Sequence, residues 1–193
     1  MARADETIFL WINGGVGRLP ALDRLAEWLV SDYLVTSILG LSLLVLWLSG
    51  ASQDDRLRRQ LGVLVSLLGM ALASWAVFIS NGIYFGDRPF LDLDVSLLFY
   101  QPTDSSMPSN AAAAFVGLAA GVWGFNRRVG TALLAIAGAH SFLQVYAGVH
   151  YASDVLVGAL IGVVAAFAAY RLWGLLGPVP TMAIKAARIL CLA

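Results

Sequence analysis

Five apolar stretches, each close to the length of a bilayer crossing, leave this chain few folds to choose from. A transmembrane helix needs about 20 mostly apolar residues to cover roughly 30 Å of hydrocarbon. The stretches run from about Tyr33 to Ser49, Leu61 to Tyr84, Ser109 to Phe125, Val129 to Ala147 and Asp154 to Leu176. Pro178 and Pro180 close the last run, because proline has no N–H to give the helix ladder. Composition supports the same reading: the 193 residues are 60% hydrophobic and 12% charged, with mean hydropathy +0.80, against roughly 25% charged in a soluble domain. Too little polar surface remains to wrap a water-soluble globule. Twelve basic against twelve acidic side chains leave no cationic excess of the kind that holds nucleic acid. The one cysteine, Cys191, has no intrachain disulfide partner, and its position third from the end does not fit a prenylation box. The expected fold is all-α: an integral membrane helical bundle of about five transmembrane helices with an interfacial N-terminal helix.

One domain is expected over residues 1–193, with an interfacial segment at 1–32, a membrane core at 33–176 and an amphipathic cytoplasmic tail at 177–193. The first segment lacks the basic start, apolar centre and small-residue cleavage site of a signal peptide, in that order. Instead Ile8, Leu10, Trp11 and Ile12 form an apolar cluster, Gly14-Gly15 breaks it, and Leu22, Leu25, Ala26 and Leu29 recur at helical spacing. In the tail, Lys185 and Arg188 would lie on the polar side. Orientation follows from the basic residues, which collect on the cytoplasmic side of short loops. Five crossings put Arg56, Arg58, Arg59, Arg127, Arg128, Arg171, Lys185 and Arg188 on one side, and only Arg3, Arg18, Arg24 and Arg88 on the other. The N-terminus is therefore expected outside a cell membrane and the C-terminus in the cytoplasm. Trp11, Trp28 and Tyr33 suit the outer aromatic belt, and Trp47, Trp123 and Trp173 the inner one.

The outer side carries the residues with chemistry. His150 sits four residues before Asp154, and on a helix that spacing brings both side chains to one face. Asp154 could then fix the ring tautomer and leave one nitrogen free as base or nucleophile; equally, an Asp in a first turn serves the helix dipole alone. Arg88, in Gly86-Asp87-Arg88-Pro89-Phe90, lies just beyond the second span, where an arginine is commonly a snorkelling anchor. Ser109, in Met107-Pro108-Ser109-Asn110, fits a helix N-cap whose following amides form an anion site. All three pieces map to one face from different helices. A guanidinium with helix-start amides suits a phosphate group. His140, about 15 Å deeper along a helix, reads as a core histidine hydrogen-bonded between helices.

The order and spacing of these pieces resemble the type 2 phosphatidic acid phosphatases, the PAP2 superfamily. Arg88-Pro89, Pro108-Ser109, and His150 with Asp154 match its three motifs, and the likeness extends from about Ser74 to Gly162. The resemblance implies hydrolysis of a phosphate monoester or diphosphate through a phosphohistidine, with no metal and no cofactor. His150 would be the nucleophile, Asp154 its orienter and Arg88 a phosphate clamp. Asn81, Ser109, Asn110 and Gln144 would line the substrate. Four positions depart from the family pattern. The motif lysine falls on Asn81, the Ser-Arg pair on Leu143-Gln144, and the histidine that protonates the leaving group on Ala111.

Alanine has no proton to give, and a general acid is typically worth about 10²–10⁴ in rate. Two explanations compete for Ala111. The run from Pro108 to Ala114 looks like the family's Pro-Ser-Asn-His followed by small residues, which points to a deliberate His→Ala substitution; the rival is a naturally weakened member. The expected activity is that of a membrane phosphatase acting at the extracytoplasmic face on a lipid phosphate, undecaprenyl diphosphate first. The outward site, the short architecture, and Asn81 with Phe90 after the Arg-Pro favour that branch. Phosphatidic acid, phosphatidylglycerophosphate and a lipid-phosphate binding protein without turnover are the alternatives. A small transporter is disfavoured, because no span holds a buried acid or a broken pair of half-helices.

Overall fold

The computed structural model describes residues 2–31 and 33–175, with 177, 181, 182, 184 and 186 beyond them. The tail expected over 177–193, with Lys185, Arg188 and Cys191, falls almost wholly outside these residues. The helices are α1 (Ala2–Asn13), α2 (Pro20–Val30), α3 (Leu34–Leu48), α4 (Gln53–Ile83), α5 (Pro89–Asp92), α6 (Asn110–Phe125), α7 (Arg127–Tyr146) and α8 (Ala152–Leu175), and no strand occurs among the described residues.

Local chemistry explains where the helices start. Pro20 opens α2 at a position where its missing N–H costs nothing. Ser52 caps α4 by accepting from Asp55 N at 3.2 Å. The charged stretch from Asp54 to Arg59, which lies between the first two apolar runs, is the first part of α4. Its acids sit at the positive end of the helix dipole, and Asp55 pairs with Arg59 one turn on at 2.9 Å. Asn126 ends α6 and caps α7 through Val129 N at 3.2 Å.

Length sorts the five expected crossings. α4, α7 and α8 are each long and apolar enough to cross a membrane, and α2 with α3 makes a fourth if taken as one bent span. At 15 and 16 residues, α3 and α6 rise only about 22–24 Å at 1.5 Å per residue. Leu41, Leu44 and Val45 on α3, Trp75 and Phe78 on α4, and Leu156, Leu160, Val164 and Phe167 on α8 are exposed, as side chains facing lipid would be. The chain is a multi-pass membrane protein. Arg56, Arg58 and Arg59 at the start of α4, Arg127 and Arg128 at the start of α7, and Arg171 near the end of α8 gather at one end of the bundle. α1, α2 and the segment 84–109 occupy the other.

α6 is short because its start is sunk into the bundle. α4, α6 and α8 pack through small residues that let backbones touch, as membrane helices do when lipid offers no hydrophobic drive between them. A Cβ on Gly158 would lie 2.4 Å from Ser109 O, and one on Gly121 would lie 2.6 Å from Ser66 Cα. Ser109, at the head of α6, therefore rests against the second turn of α8, and the space above it is a recess ringed by the longer helices. Changing Gly162 to alanine places a carbon 2.5 Å from Ala113 O and 2.8 Å from Gly117 N. Overpacking of this kind costs about 1–3 kcal/mol, so thermal unfolding in detergent should show a lowered midpoint. Gly138→Ala, where nothing lies within 4 Å, should hold or raise it.

Candidate active site

The recess is a cavity of about 190 Å³ lined by Arg88, Asp104, Asn110, Ala111, Gln144 and His150, with Phe99, Tyr100, Pro102 and Val149. A smaller cavity of about 80 Å³ at the opposite end, among Leu46, Asp55, Arg58, Val122 and Asn126, contains none of the candidate site residues.

Arg88 organises the cavity. Its side chain is only 4% exposed, and the segment after α4 carries it inward at the N-cap of α5. Nε donates to Asp104 O at 3.0 Å and Nη2 to Asp104 Oδ1 at 2.8 Å; Nη1 donates to Val149 O at 3.1 Å and meets His150 Nε2 at 3.4 Å. A guanidinium has no acceptor. In its contact with Arg88, His150 Nε2 must therefore present its lone pair, which puts the ring proton on Nδ1.

That proton faces a relay. Ser106 Oγ lies 3.3 Å from His150 Nδ1 and donates to Asp154 Oδ2 at 2.5 Å, while Nδ1 and Oδ2 are themselves 3.5 Å apart. His150, Ser106 and Asp154 are all buried. Asp154 Oδ2 also accepts from Tyr151 N at 2.8 Å, closing the start of α8 as a third-position acid does in a capping box. Capping and orienting, set against each other in the sequence, are one carboxylate's two contacts. His150 is not on α8, as the spacing of four implied, but on the turn before it. The pair meets because that turn folds back, with Gly148 at φ +84°.

Ser109 is the N-cap of α6, as expected. Its Oγ accepts from Ala112 N at 3.4 Å and donates to Gln144 Oε1 at 3.3 Å, and its own N–H donates to Asp154 O at 3.1 Å. Asn110 and Ala111 line the cavity with first-turn N–H groups that have no place in the helix's own ladder. The structure thus brings together Arg88, Asn110, Ala111, Gln144 and His150, with Asp154 and Ser109 directly behind. Asn81 does not join them. It stays on the last turn of α4, outside the cavity lining, with its Oδ1 buried and without a hydrogen-bond partner.

Several contributors carried no signal in the sequence. Asp104 and Ser106 lie in an aperiodic segment, tied to the Arg88 segment by Gly86 N to Ser105 Oγ at 3.0 Å and Ser106 N to Gly86 O at 2.9 Å. Asn13, at the end of α1, donates to Ser96 O at 2.8 Å and Tyr146 O at 2.9 Å and accepts from Ser96 N at 3.0 Å. Asp5 accepts from the N–H of Ser153 at 3.1 Å and from its hydroxyl. The N-terminal helices, expected to rest at the membrane interface, brace the turn that bears His150. Burial first, and then the carboxylates of Asp92, Glu6, Asp154 and Asp5, push the nearby Tyr151 phenol up to about 12. It keeps its proton at any ordinary pH.

Such an arrangement can do definite chemistry. An imidazole lines a recess together with the first residues of a helix and a guanidinium, and its far nitrogen is backed by a hydroxyl and a carboxylate. Known proteins resemble the chain in sequence and fold. Residues 62–177 match the family model of the PAP2 superfamily. The chain is 26% identical over 159 residues to the bacitracin transport permease protein BcrC of Bacillus licheniformis, covering 82% of this chain and 75% of that one. It is 25% identical over 172 residues to "Putative undecaprenyl-diphosphatase YbjG" of Escherichia coli (strain K12), covering 89% and 83%. The crystal structure of Aquifex aeolicus LpxE matches with a TM-score of 0.65 and 26% identity, over 86% of this chain and 93% of that one. A transmembrane PAP2 type phosphatidylglycerolphosphate phosphatase from Bacillus subtilis shares the fold at a TM-score of 0.62 and 20% identity, over 89% and 85%. With more than half its length inside the family model, the chain belongs to the PAP2 superfamily.

Proposed function

We propose that this chain is a membrane phosphatase for a lipid phosphate, and that its substrate is a polyprenyl diphosphate such as undecaprenyl diphosphate. One observation carries the reading: His150 lines the cavity with Nε2 3.4 Å from Arg88 Nη1, and Ser106 and Asp154 stand behind the opposite nitrogen. The name printed for the YbjG relative supports the choice of lipid. Orientation follows from charge. The arginines of α4, α7 and α8 lie at the end away from the site, so the positive-inside rule puts the site at the extracytoplasmic face of the cell membrane, with the N-terminus outside. A lipid phosphate would reach the recess at headgroup depth while its chain stays among the exposed apolar side chains.

In this mechanism the phosphoryl oxygens lodge against Arg88, Gln144 and the amides of Asn110 and Ala111. Preorganised donors of this kind stabilise the charge that develops in phosphoryl transfer. His150 Nε2 attacks the terminal phosphorus, the P–O bond to the bridging oxygen breaks, the lipid monophosphate departs with the electron pair, and Asp154, through Ser106, stabilises the imidazolium that forms. Water then cleaves the phosphohistidine. No step assigns work to a metal, so phosphate release should persist in excess EDTA.

The second reading, a lipid-phosphate binding protein without turnover, draws on Ala111 and on neutral side chains at Asn81 and Gln144. Phosphate release decides between them. His150→Ala should reduce release to below about 10⁻⁴ of the parent rate, the scale on which removing one member of a catalytic triad acts. Persistent release in that variant would overturn the assignment of the nucleophile. Ser106→Ala should lower kcat about 10–100-fold, equivalent to one hydrogen bond to a charged group. KM should barely move, because Ser106 is outside the cavity lining.

A further inference from the structure

We propose that this site is selective for phosphoanhydrides, cleaving a lipid diphosphate to the lipid monophosphate and stopping there, and that Ala111 sets this limit. The inference rests on the reading of His150 as nucleophile and adds which bond the site can break. Its ground is the chemistry of the cavity wall. Among the described lining residues, Arg88 does not give up a proton, and the amides of Asn110 and Gln144 are not acids. Asp104 Oδ1 accepts from Arg88 Nη2 at 2.8 Å, so that oxygen presents a lone pair and not a proton. His150 directs its proton away from the cavity, toward Ser106 and Asp154. Tyr100, 58% exposed, holds the one remaining neutral O–H of the lining. At position 111, on the first turn of α6 and facing the same cavity, there is a methyl group.

A wall whose one neutral O–H belongs to an exposed tyrosine, with a methyl group at position 111, restricts the leaving group. Attack by His150 Nε2 forms an N–P bond and breaks the P–O bond to the bridging oxygen, which leaves with the electron pair. From a diphosphate that oxygen departs as part of a phosphate monoester, whose charge is shared over its oxygens and whose conjugate acid has a pKa near 6. It needs no proton. From a lipid monophosphate the same oxygen departs as an alkoxide about as basic as hydroxide, whose conjugate acid, water, has a pKa near 15.7, and a general acid is then worth about 10²–10⁴. In the second step water attacks phosphorus, the N–P electrons return to Nε2, and the water proton leaves with inorganic phosphate or to solvent.

The test uses the full chain in detergent with three substrates: farnesyl diphosphate, farnesyl phosphate, and p-nitrophenyl phosphate, a monoester with a good leaving group. The parent should release phosphate from the diphosphate and the aryl ester, and from farnesyl phosphate about 10²–10⁴-fold more slowly. Ala111→His should shrink the diphosphate-to-monophosphate rate ratio by about the same factor. Parent rates on the two farnesyl compounds within tenfold of each other would overturn the proposal. So would an Ala111→His variant with an unchanged ratio, or a parent that rejects the aryl ester as strongly as farnesyl phosphate, since selection would then lie in binding. No phosphate from any substrate, in parent or variant, would overturn the phosphatase reading itself and this inference with it.

Discussion

One buried guanidinium determines the shape of the site end. Arg88 cannot shed its charge, and a cation taken out of water must find acceptors or destabilise the fold by several kcal/mol. It draws its acceptors from separate segments: both a carbonyl and a carboxylate of Asp104, the carbonyl of Val149, and the ring of His150. The segment after α4, the segment before α6 and the turn between α7 and α8 therefore meet on one side chain, and the bonds of Gly86 with Ser105 and Ser106 and of Ser106 with Asp154 reinforce the junction. The same contacts set the imidazole tautomer, because a group that only donates leaves Nε2 no role but acceptor.

The depth of the site comes from glycine and alanine rather than from charge. Gly158 and Gly162 admit the backbone of α6 closely enough that α6 begins a full turn below the head of α8. Its capping serine is then completely buried, and its first amides open into a recess instead of onto the surface. Asp154 shows how local stability and site geometry coincide. The oxygen that closes the first turn of α8 through Tyr151 N is the same one that holds Ser106 against His150. A helix that frayed there would lose both.

Much of this was legible in the sequence, for reasons that also explain what was not. Runs of apolar residues located all five core helices to within a few residues, except where Ser52, Asp54 and Asp55 extended α4 through a charged stretch outside the apolar run. Ser109 was readable as a cap because capping depends on residue type and the next few positions. Arg88, His150 and Asp154 stood out as rare polar groups in an apolar chain. Asp104, Ser106, Asn13 and Asp5 did not, since their partners lie 16 to 148 residues away and no periodicity marks them. Asn81 errs the other way: motif register pointed to it, but the fold leaves it on α4 while the chain travels seven residues further to deliver Arg88.

The two partners of the Arg88–Asp104 pair are unequal in a way that bears on how an anion would enter. Arg88 is 4% exposed, and its other bonds run to Val149 O and Asp104 O, so its fork is fixed. Asp104 has a side chain 66% exposed and can turn its carboxylate into water. Under the proposed mechanism a phosphoryl group arriving at Nη2 would exchange one anion for another on a guanidinium that does not move. The exchange would leave the buried cation paired throughout, so it would avoid the cost of an uncompensated buried charge. In the unliganded state the carboxylate keeps that cation paired. With a phosphoryl group in its place, the same cation would already stand where charge develops.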